Sequence, residues 1–396
     1  MAPRCRMAPM GRRAVAALVT GGLLLAGCTG PDADTDPDRL TLTPAASTTV
    51  LEPCVPTGGL DTIDELNRFV TRTRGDVAFA GGDVGASVRL QDGRGMFVFG
   101  DTLRGPDFDG QQFVHNSMLL FSPGCGQVVL PRDRGAVVPD RADGVGYWPM
   151  SIAAVSRDGY DLVGVGVQRV RPKPGSGVFG FDILGPAVAL FRVPPGEAPD
   201  LVSVRDVGPD AVDPSRPMWG AAAVVDDGWA YLYATSRDRD ALATGFDLRV
   251  ARSRPESVGD PRAWEYWDGT AWTPDADRAA VLIPRQGGVS QTLSVFRDGD
   301  RWYAISKRDE VLGRDLVVWE APAPTGPFVA APPVAEIPSD AATGTLRYLP
   351  LAHPDLLPEP GTVVVSYSEN NTDFAVVRDD PRRYRPRFLR VRLPGG

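Results

Sequence analysis

The sequence of 396 residues contains few of the side chains that build metal centres, with two His and four Cys. Outside the first 30 residues, His and Cys stand at 54, 115, 125 and 353, without the spacing of a structural zinc site. No apolar stretch after residue 25 is long enough to span a bilayer. These absences argue against a zinc centre and against a membrane-spanning core.

The first 28 residues combine positive charge, a short apolar run and small residues before a cysteine. Four Arg precede the run from Ala14 to Leu25, which is too short to span a bilayer and is typical of a signal peptide. The run ends in Leu25-Ala26-Gly27-Cys28, which resembles a lipobox, where a cysteine is acylated after cleavage. We predict a lipoprotein signal peptide over 1–27 and a lipid at Cys28. The alternative is an ordinary secretory peptide with a chance cysteine.

Cleavage before Cys28 would remove four Arg and no acid, so the formal net charge would change from −8 to −12. Such an acidic chain is a poor partner for nucleic acid. We expect an extracytoplasmic monomer, anchored to the cell membrane by its lipid. In that oxidising compartment, Cys54 and Cys125 are the remaining pair and are predicted to form a disulfide. Two free buried thiols are the alternative.

Two segments of different character precede the main domain, which we place at 53–396. Residues 28–52 are rich in Asp, Pro, Thr and Ser and have little to bury, which predicts a flexible linker. From Asp61 to Thr73, apolar residues recur at helical spacing, and Thr62 with Glu65 can form a capping arrangement. The sequence therefore predicts one short N-terminal helix.

The rest of the domain repeats an apolar strand, an Asp-Gly turn and a second apolar strand. This pattern, with 44 Gly and 38 Pro in the chain, favours all-β structure. The fifth copy has Pro358-Glu359-Pro360-Gly361 in place of Asp-Gly, and the five hairpins cover 88–99, 152–167, 221–234, 293–306 and 349–366. A further apolar strand follows each hairpin.

Five such copies, about 65 residues apart, are typical of a five-bladed β-propeller, in which no blade can bury its faces alone. The predicted fold class is therefore all-β, a five-bladed β-propeller with a short N-terminal helix. A β-sandwich and a pair of smaller β domains are the alternatives.

A propeller brings the start of each innermost strand and the end of each second strand to one face. The predicted starts offer Asp83, Trp148, Trp219, Gln291 and His353. The predicted ends offer Asp101, Gln168, Arg237, Lys307 and Glu369 with Asn370, and the third strands add His115 and Asn116. Both His of the chain thus fall on this face, which favours a polar site there.

Asp83 and Asp101 are the sharpest candidates on this face. Asp101 shares the period-2 face of Phe97 and Phe99, where apolar surroundings would raise its pKa. Asp83 lies in a glycine-rich stretch that lets a ligand approach closely. Two carboxylates facing a funnel can cleave a glycosidic bond, one as the acid and the other as the base or nucleophile. In the alternative, both accept main-chain hydrogen bonds in tight turns.

The other polar residues have both substrate-binding and structural interpretations. Trp148 and Trp219 offer flat rings to a sugar, or pack in the core. Arg237 and Lys307 bind hydroxyls or an anion, or pair with neighbouring acids, and His353 is a ligand or a strand-end residue. A central calcium ion would need a cluster of oxygen ligands that the sequence does not display, so no cofactor is predicted.

The segment 82–117, which includes the first hairpin, resembles a known family. The match is to five-bladed propellers long known only as domains of unknown function, which include actinobacterial endo-D-arabinanases. The matching residues are Gly82-Asp-Val-Gly85, Ser87, Leu90-Gln-Asp-Gly-Arg94, Phe97-Val-Phe-Gly-Asp-Thr102 and His115-Asn-Ser117. The resemblance implies a glycoside-hydrolase-like fold with its acidic pair at Asp83 and Asp101. Arabinanase and levansucrase propellers differ, because they take three acids from successive innermost strands, where this chain has Trp148 and Trp219.

These observations predict a surface-tethered glycoside hydrolase that acts on a cell-envelope or environmental polysaccharide, with an arabinofuranan as the first candidate. The catalytic candidates are Asp83, Asp101 and, in reserve, Glu369. The substrate-binding candidates are His115, Asn116, Trp148, Trp219, Arg237, Gln291, Lys307, His353 and Asn370. The alternative function is a glycan-binding propeller lipoprotein without catalysis. A propeller that binds proteins on its rim has less support, because the polar residues cluster on one face.

Overall fold

The computed structural model describes residues 48–173, 180–239 and 245–395. The predicted signal peptide, Cys28 and the linker up to residue 47 lie outside the described residues. Among the described residues, no helix is both long enough and apolar enough to cross a membrane.

The described chain forms five antiparallel sheets that follow one another in sequence. The first contains β1 (Thr49–Leu51), β2 (Val55–Pro56), β3 (Gly81–Arg89), β4 (Gly95–Leu103), β5 (Phe113–Val114), β6 (Ser117–Ser122) and β7 (Cys125–Pro131). The second contains β8 (Gly146–Arg157), β9 (Tyr160–Pro172), β10 (Phe181–Val193) and β11 (Asp200–Asp206). Strand β1 lies inside the predicted linker, 28–52, and pairs with β7. The end of that segment is therefore part of the first sheet and not a flexible linker.

The remaining sheets repeat this arrangement. The third contains β12 (Met218–Asp226), β13 (Trp229–Ser236), β14 (Asp247–Ser253), β15 (Glu265–Trp267) and β16 (Trp272–Thr273). The fourth contains β17 (Ser294–Asp298), β18 (Arg301–Lys307), β19 (Asp315–Ala321), β20 (Val329–Ala330) and β21 (Ala335–Glu336). The fifth contains β22 (Thr345–His353), β23 (Thr362–Asn371) and β24 (Arg387–Arg392).

The first long strand of each sheet faces a common axis. Strands β3, β8, β12, β17 and β22 contact one another in a closed ring. Hydrogen bonds join neighbouring sheets, for example from Ser151 Oγ to Gly220 O at 2.7 Å and from Ala352 N to Ser294 Oγ at 2.9 Å. The fold is a β-propeller. Within the described ranges, four of its sheets have four or more strands and the fifth has three.

Each predicted hairpin corresponds to the first two long strands of a sheet. The apolar strand that follows becomes β6, β10, β14, β19 or β24. The apolar faces of neighbouring sheets pack against each other, as where residues of the first and second sheets form one cluster. Phe191 in that cluster is fully buried, which contributes about 1.5–3 kcal/mol relative to an exposed side chain.

β-Bulges interrupt four of the five innermost strands. The register shifts between Gly82 and Ala86 in β3, between Pro149 and Ser151 in β8, between Trp219 and Ala222 in β12, and between Tyr348 and Leu351 in β22. A bulge changes which way the following side chains point. Simple alternation therefore fails near the starts of these strands, where the candidate site lies.

The predicted helix is confirmed as α1 (Ile63–Arg72). Thr62 caps it by accepting a hydrogen bond from Glu65 N at 3.2 Å, and Glu65 Oε2 accepts one from Asp61 N at 3.0 Å. Asn67 pairs with the main chain of Phe388 in β24, donating at 2.7 Å and accepting at 2.9 Å. The helix therefore lies against β24, the last strand of the fifth sheet.

The remaining helical segments are short. They are α2 (Phe374–Asp379) and five 3₁₀ turns at Pro255–Ser257, Pro261–Ala263, Ala276–Arg278, Glu310–Leu312 and Pro381–Tyr384. A disulfide joins Cys54 to Cys125 with 5.5 Å between Cα atoms, as the sequence predicts. It connects the segment before α1 to the start of β7.

Candidate active site

Asp83 and Asp101 lie together on one face of the propeller. Asp83 is near the start of β3 and Asp101 is near the end of β4, so two adjacent strands of one sheet carry them. The residue before Asp101 is Gly100, where a Cβ atom would lie 2.5 Å from Asp83 Oδ1. Glycine at this position leaves room for the Asp83 carboxylate beside β4.

Two tyrosines hold the Asp83 carboxylate. Tyr348, on β22 of the fifth sheet, donates its hydroxyl to Asp83 Oδ2 at 2.7 Å, and Tyr384, from the turn before β24, also donates to Asp83. Burial raises the pKa of Asp83 to about 6, and the hydrogen bonds from the two tyrosines oppose this rise. Burial also raises the pKa of both phenols well above the ordinary value, so both remain donors.

Asp101 has a different environment. Its Oδ1 accepts a hydrogen bond at 2.6 Å from Nε1 of Trp148, which comes from β8 of the second sheet. Trp148 packs edge-on against Phe181, with 4.6 Å between ring centroids. Burial, and then the charge of Asp83, raise the pKa of Asp101 well above its ordinary value. Neither aspartate is therefore occupied mainly by main-chain hydrogen bonds, as the turn interpretation required.

His115 adds a charge near Asp101. Its Nδ1 lies 2.9 Å from Oδ2 of Asp140, a loop residue between β7 and β8. Burial disfavours the charged ring, but the hydrogen bond to Asp140 and the charges of Asp140 and Asp101 outweigh burial and raise the pKa of His115. The charged ring in turn favours the ionised form of Asp101.

Two of the expected substrate-binding residues, Asn116 and Lys307, have structural roles instead. Asn116 is buried, and its side-chain amide bonds the main chain of Val138 and Tyr147. Lys307 is fully buried and donates to Arg347 O at 2.6 Å and to Val311 O at 3.1 Å. In both, the polar atoms that would contact a sugar already bond the protein.

His353 is also misplaced by the sequence-based prediction. It lies at the end of β22, whereas the site face is at the start of that strand, where Tyr348 stands. Its two ring nitrogens bond Ser87 Oγ at 2.6 Å and Ser366 Oγ at 2.7 Å. Burial lowers the pKa of His353 to about 3, so the ring is neutral.

Trp219 belongs to the core and not to the sugar-facing surface. Its side chain is 6% exposed and packs against Trp264 and Tyr266 of the third sheet. A bulge follows Trp219, so its side chain does not point in the direction that simple strand alternation predicts. Trp148 is thus the tryptophan in contact with the carboxylate pair.

The reserve carboxylate, Glu369, lies in an ion pair. Its Oε2 is 3.2 Å from Nε of Arg347, and its Oε1 is 3.8 Å from a nitrogen of Arg387. Asn370 is buried and its amide lies 3.4 Å from the Tyr348 hydroxyl, so it contacts the site through that tyrosine. These contacts favour Asp83 and Asp101 over Glu369 as the reacting pair.

Gln291 and Arg237 lie toward the third and fourth sheets. Gln291 donates from Nε2 to Gln168 Oε1 at 2.8 Å and from its main-chain nitrogen to Glu310 Oε2 at 2.9 Å. The Arg237 guanidinium lies over the Phe246 ring, 4.9 Å from its centroid. The neighbouring acid, Asp238, pairs with Arg285 at 2.6 Å.

Several residues at this face were not found from the sequence. Tyr348 lies beside a bulge, and Tyr384, Asp140 and Glu310 lie in turns or loops, so no strand periodicity marks them. Among the described residues, no group of three or more His, Cys, Asp or Glu is placed to hold a metal ion.

A family model described as "Domain of unknown function (DUF5005)" matches residues 64–393. No curated protein matches the chain. Among solved structures, a "putative hydrolase from Bacteroides ovatus" is 19% identical, with 89% of this chain and 97% of that chain covered and a TM-score of 0.60.

Two further solved structures match with lower TM-scores. An α-L-arabinofuranosidase from Podospora anserina, in complex with cellotriose, is 10% identical, with 87% and 97% of the two chains covered and a TM-score of 0.45. A GH43_1 enzyme from Xanthomonas citri, in complex with xylotriose, is 14% identical, with 85% and 89% covered and a TM-score of 0.43. With an identity of 19%, the likeness to the Bacteroides ovatus protein is a likeness of fold.

Proposed function

The chain belongs to the family described as "Domain of unknown function (DUF5005)", and because that description assigns no activity, we propose a function from the site itself. The protein hydrolyses glycosidic bonds of a polysaccharide, with Asp101 as the general acid and Asp83 as the base or nucleophile. The description of the Bacteroides ovatus neighbour as a putative hydrolase agrees with this class of reaction.

One observation carries the proposal: two adjacent, half-buried carboxyls have different partners. Burial raises the pKa of Asp83 to about 6, and two phenols favour its ionised form, whereas burial and then the charge of Asp83 raise the pKa of Asp101 well above its ordinary value. In glycoside hydrolysis, two carboxyls whose environments differ in this way divide the roles of acid and base between them.

The neighbouring side chains fit these roles. Trp148 fixes one oxygen of Asp101, which leaves the other oxygen to deliver a proton to the glycosidic oxygen. Tyr348 and Tyr384 orient the Asp83 carboxylate, which either takes a proton from an attacking water or attacks the anomeric carbon itself. The anomeric configuration of the first product distinguishes these two routes.

The substrate and the location complete the proposal. An arabinofuranan is the first substrate to test, because the motif around Asp83 and Asp101 resembles that of the endo-D-arabinanase family. A lipid at Cys28 would hold the domain close to the membrane, where cell-envelope glycan is available.

Hydrolysis of a glycan panel tests the function. The full chain is incubated with arabinogalactan, linear arabinan and xylan, and reducing ends and released oligosaccharides are measured. We expect products from at least one furanoside-containing polymer. Binding of a polymer without any products would support the glycan-binding alternative and would contradict hydrolysis.

Leaving-group dependence tests the assignment of the acid. When an aryl glycoside carries an acidic phenol, the phenolate leaves without being protonated. Asp101→Asn should therefore lose little activity on this substrate but about 10²–10⁴-fold on the polysaccharide. Asp83→Asn should lose activity on both substrates. The reverse pattern would exchange the two roles.

A further inference from the structure

A second polar group lies on the site face, beside the third and fourth sheets, and the proposed chemistry does not use it. Its members are Glu310, Arg237 and Gln291. Glu310 is half-buried, and its Oε2 accepts the main-chain hydrogen bond from Gln291 at 2.9 Å. Gln291 extends toward the second sheet and donates to Gln168 at 2.8 Å.

This group is connected to the aspartate pair. Gln168 on β9 pairs in register with Trp148 on β8, and Trp148 bonds Asp101. A row of neighbouring residues therefore runs from Asp101 through Trp148 and Gln168 to Gln291, whose main-chain nitrogen bonds Glu310. The second group is thus a neighbour of the cleavage site on the same face.

The backbone at Glu310 is held in an unfavourable conformation. Asp309 and Glu310 have φ values of 58° and 61°, in the left-handed region that favours glycine. The buried Lys307 secures the turn by donating to Val311 O, while Leu312 beside it is 74% exposed. Such conformations persist where the surroundings enforce them and are concentrated at functional sites.

Arg237 and the turn of Glu310 border the same segment of chain. The Arg237 guanidinium lies over Phe246, whose main chain pairs with Val289, and Asp309 N donates to Gly288 O at 3.3 Å. Burial raises the pKa of Glu310, and the charges of Arg237 and Lys307 oppose this rise. Among the described residues, no carboxylate lies within 4.0 Å of the guanidinium nitrogens of Arg237. A carboxylate accepts hydrogen bonds from hydroxyls, and a guanidinium donates to hydroxyl oxygens. The pair is therefore complementary to two adjacent hydroxyls of one sugar ring.

We propose that Glu310 and Arg237 form a second sugar subsite, which binds a vicinal diol of a unit next to the bond held at Asp83 and Asp101. This inference rests on the proposed glycan substrate and makes it more specific. The protein recognises a chain of several sugar units, and shorter glycans leave this subsite empty.

Binding measurements test the subsite without requiring turnover. The full chain carrying Asp101→Asn is titrated calorimetrically with arabinofuranosyl oligosaccharides of two to eight units and with a matching xylo-oligosaccharide series. Added to this background, Glu310→Gln or Arg237→Met should weaken binding of the longer members at least tenfold and leave the shortest unchanged. Glu359→Gln, at the exposed turn between β22 and β23, is the matched control and should change neither.

A stability readout separates a binding role from a structural one. Glu310→Gly relieves the left-handed backbone, so we expect a higher Tm together with weaker binding of long oligosaccharides. The subsite would be overturned if Glu310→Gly had a lower Tm, if it lost binding equally for oligosaccharides of every length, or if it lost no binding. If the wild-type chain hydrolyses no glycan but the length dependence persists, the proposed hydrolysis fails and the subsite stands.

Discussion

Asp83 and Asp101 differ because their partners differ. Two phenols donate to Asp83, and these hydrogen bonds favour its ionised form against the effect of burial. Asp101 has the indole of Trp148 and the nearby charge of Asp83, which opposes a second ionisation. These partners favour the ionised form of Asp83 and oppose ionisation of Asp101 beside it.

This arrangement predicts the pH dependence of kcat/KM. The rate should rise as pH increases through about 6, because Asp83 must be ionised, and should fall at higher pH when Asp101 loses its proton. Tyr348→Phe removes a donor that favours ionised Asp83, so its acidic limb should move upward by on the order of one pH unit. An unmoved limb would contradict the role of Tyr348.

The buried His353 should make the free energy of unfolding depend on pH. Its pKa is about 3 in the folded chain and about 6.5 when unfolded, so the unfolded state takes up the proton first as pH falls. From this residue, the free energy of unfolding should fall by roughly 2 kcal/mol between pH 7 and 5. Urea unfolding of the wild type and of His353→Gln at both pH values measures this change in the free energy of unfolding. An equal change in the two proteins between pH 7 and 5 would contradict the prediction.

At this scale the sequence predicted that the two aspartates lie together but not which side chains contact them. Asp83 and Asp101 follow from strand alternation and strand ends. Tyr348 was missed because the strand was expected to begin at Leu349, and Leu349 itself has a φ of 46° beside a bulge. Tyr384 comes from a 3₁₀ turn, where no periodicity announces a side chain near the site.

The hairpins are the elements that sequence predicted best. Asp-Gly turns between alternating apolar strands specify local structure within about 15 residues. The bulges at the inner strand starts were not predictable in the same way, because they depend on contacts between neighbouring sheets. Gly220, with a φ of 90°, lies at one of them, where its Cβ would come within 3.1 Å of Gly166 Cα.

Asn67 attaches helix α1 to the fifth sheet by hydrogen bonds, beside the apolar contacts of Leu66 with Val364 and Phe388. Asn67 makes two hydrogen bonds with the main chain of Phe388. Asn67→Ala would leave those groups of β24 unpaired and should lower the free energy of unfolding by about 2 kcal/mol, as measured in urea. Arg68→Ala, on the exposed face of the same helix, is the control and should change it by less than about 0.5 kcal/mol. Equal effects would contradict the attachment.

The whole molecule combines a ring of sheets with an N-terminal segment that belongs to the first sheet. Propeller closure follows from repetition, so the sequence predicted the ring once the hairpins were counted. The strand count of the fifth sheet was not predictable, because α1 rather than a fourth strand lies against β24.

The proposed lipid anchor is a property of the whole chain. In a bacterium that processes lipoproteins, the full chain should fractionate with membranes, and Cys28→Ser should move it to the soluble or secreted fraction. Cys5→Ser is the matched control, since it removes a thiol from the predicted signal peptide and not from the lipobox. Membrane association of Cys28→Ser equal to that of the wild type would contradict the anchor.

The most direct test of the central claim is the initial rate of reducing-end release from arabinogalactan by the full chain and its aspartate variants. Glu359→Gln serves as the control. The two-aspartate mechanism predicts release by the wild type and the control, and a loss of about 10²–10⁴-fold in both Asp83→Asn and Asp101→Asn. Wild-type rates in both aspartate variants would contradict it.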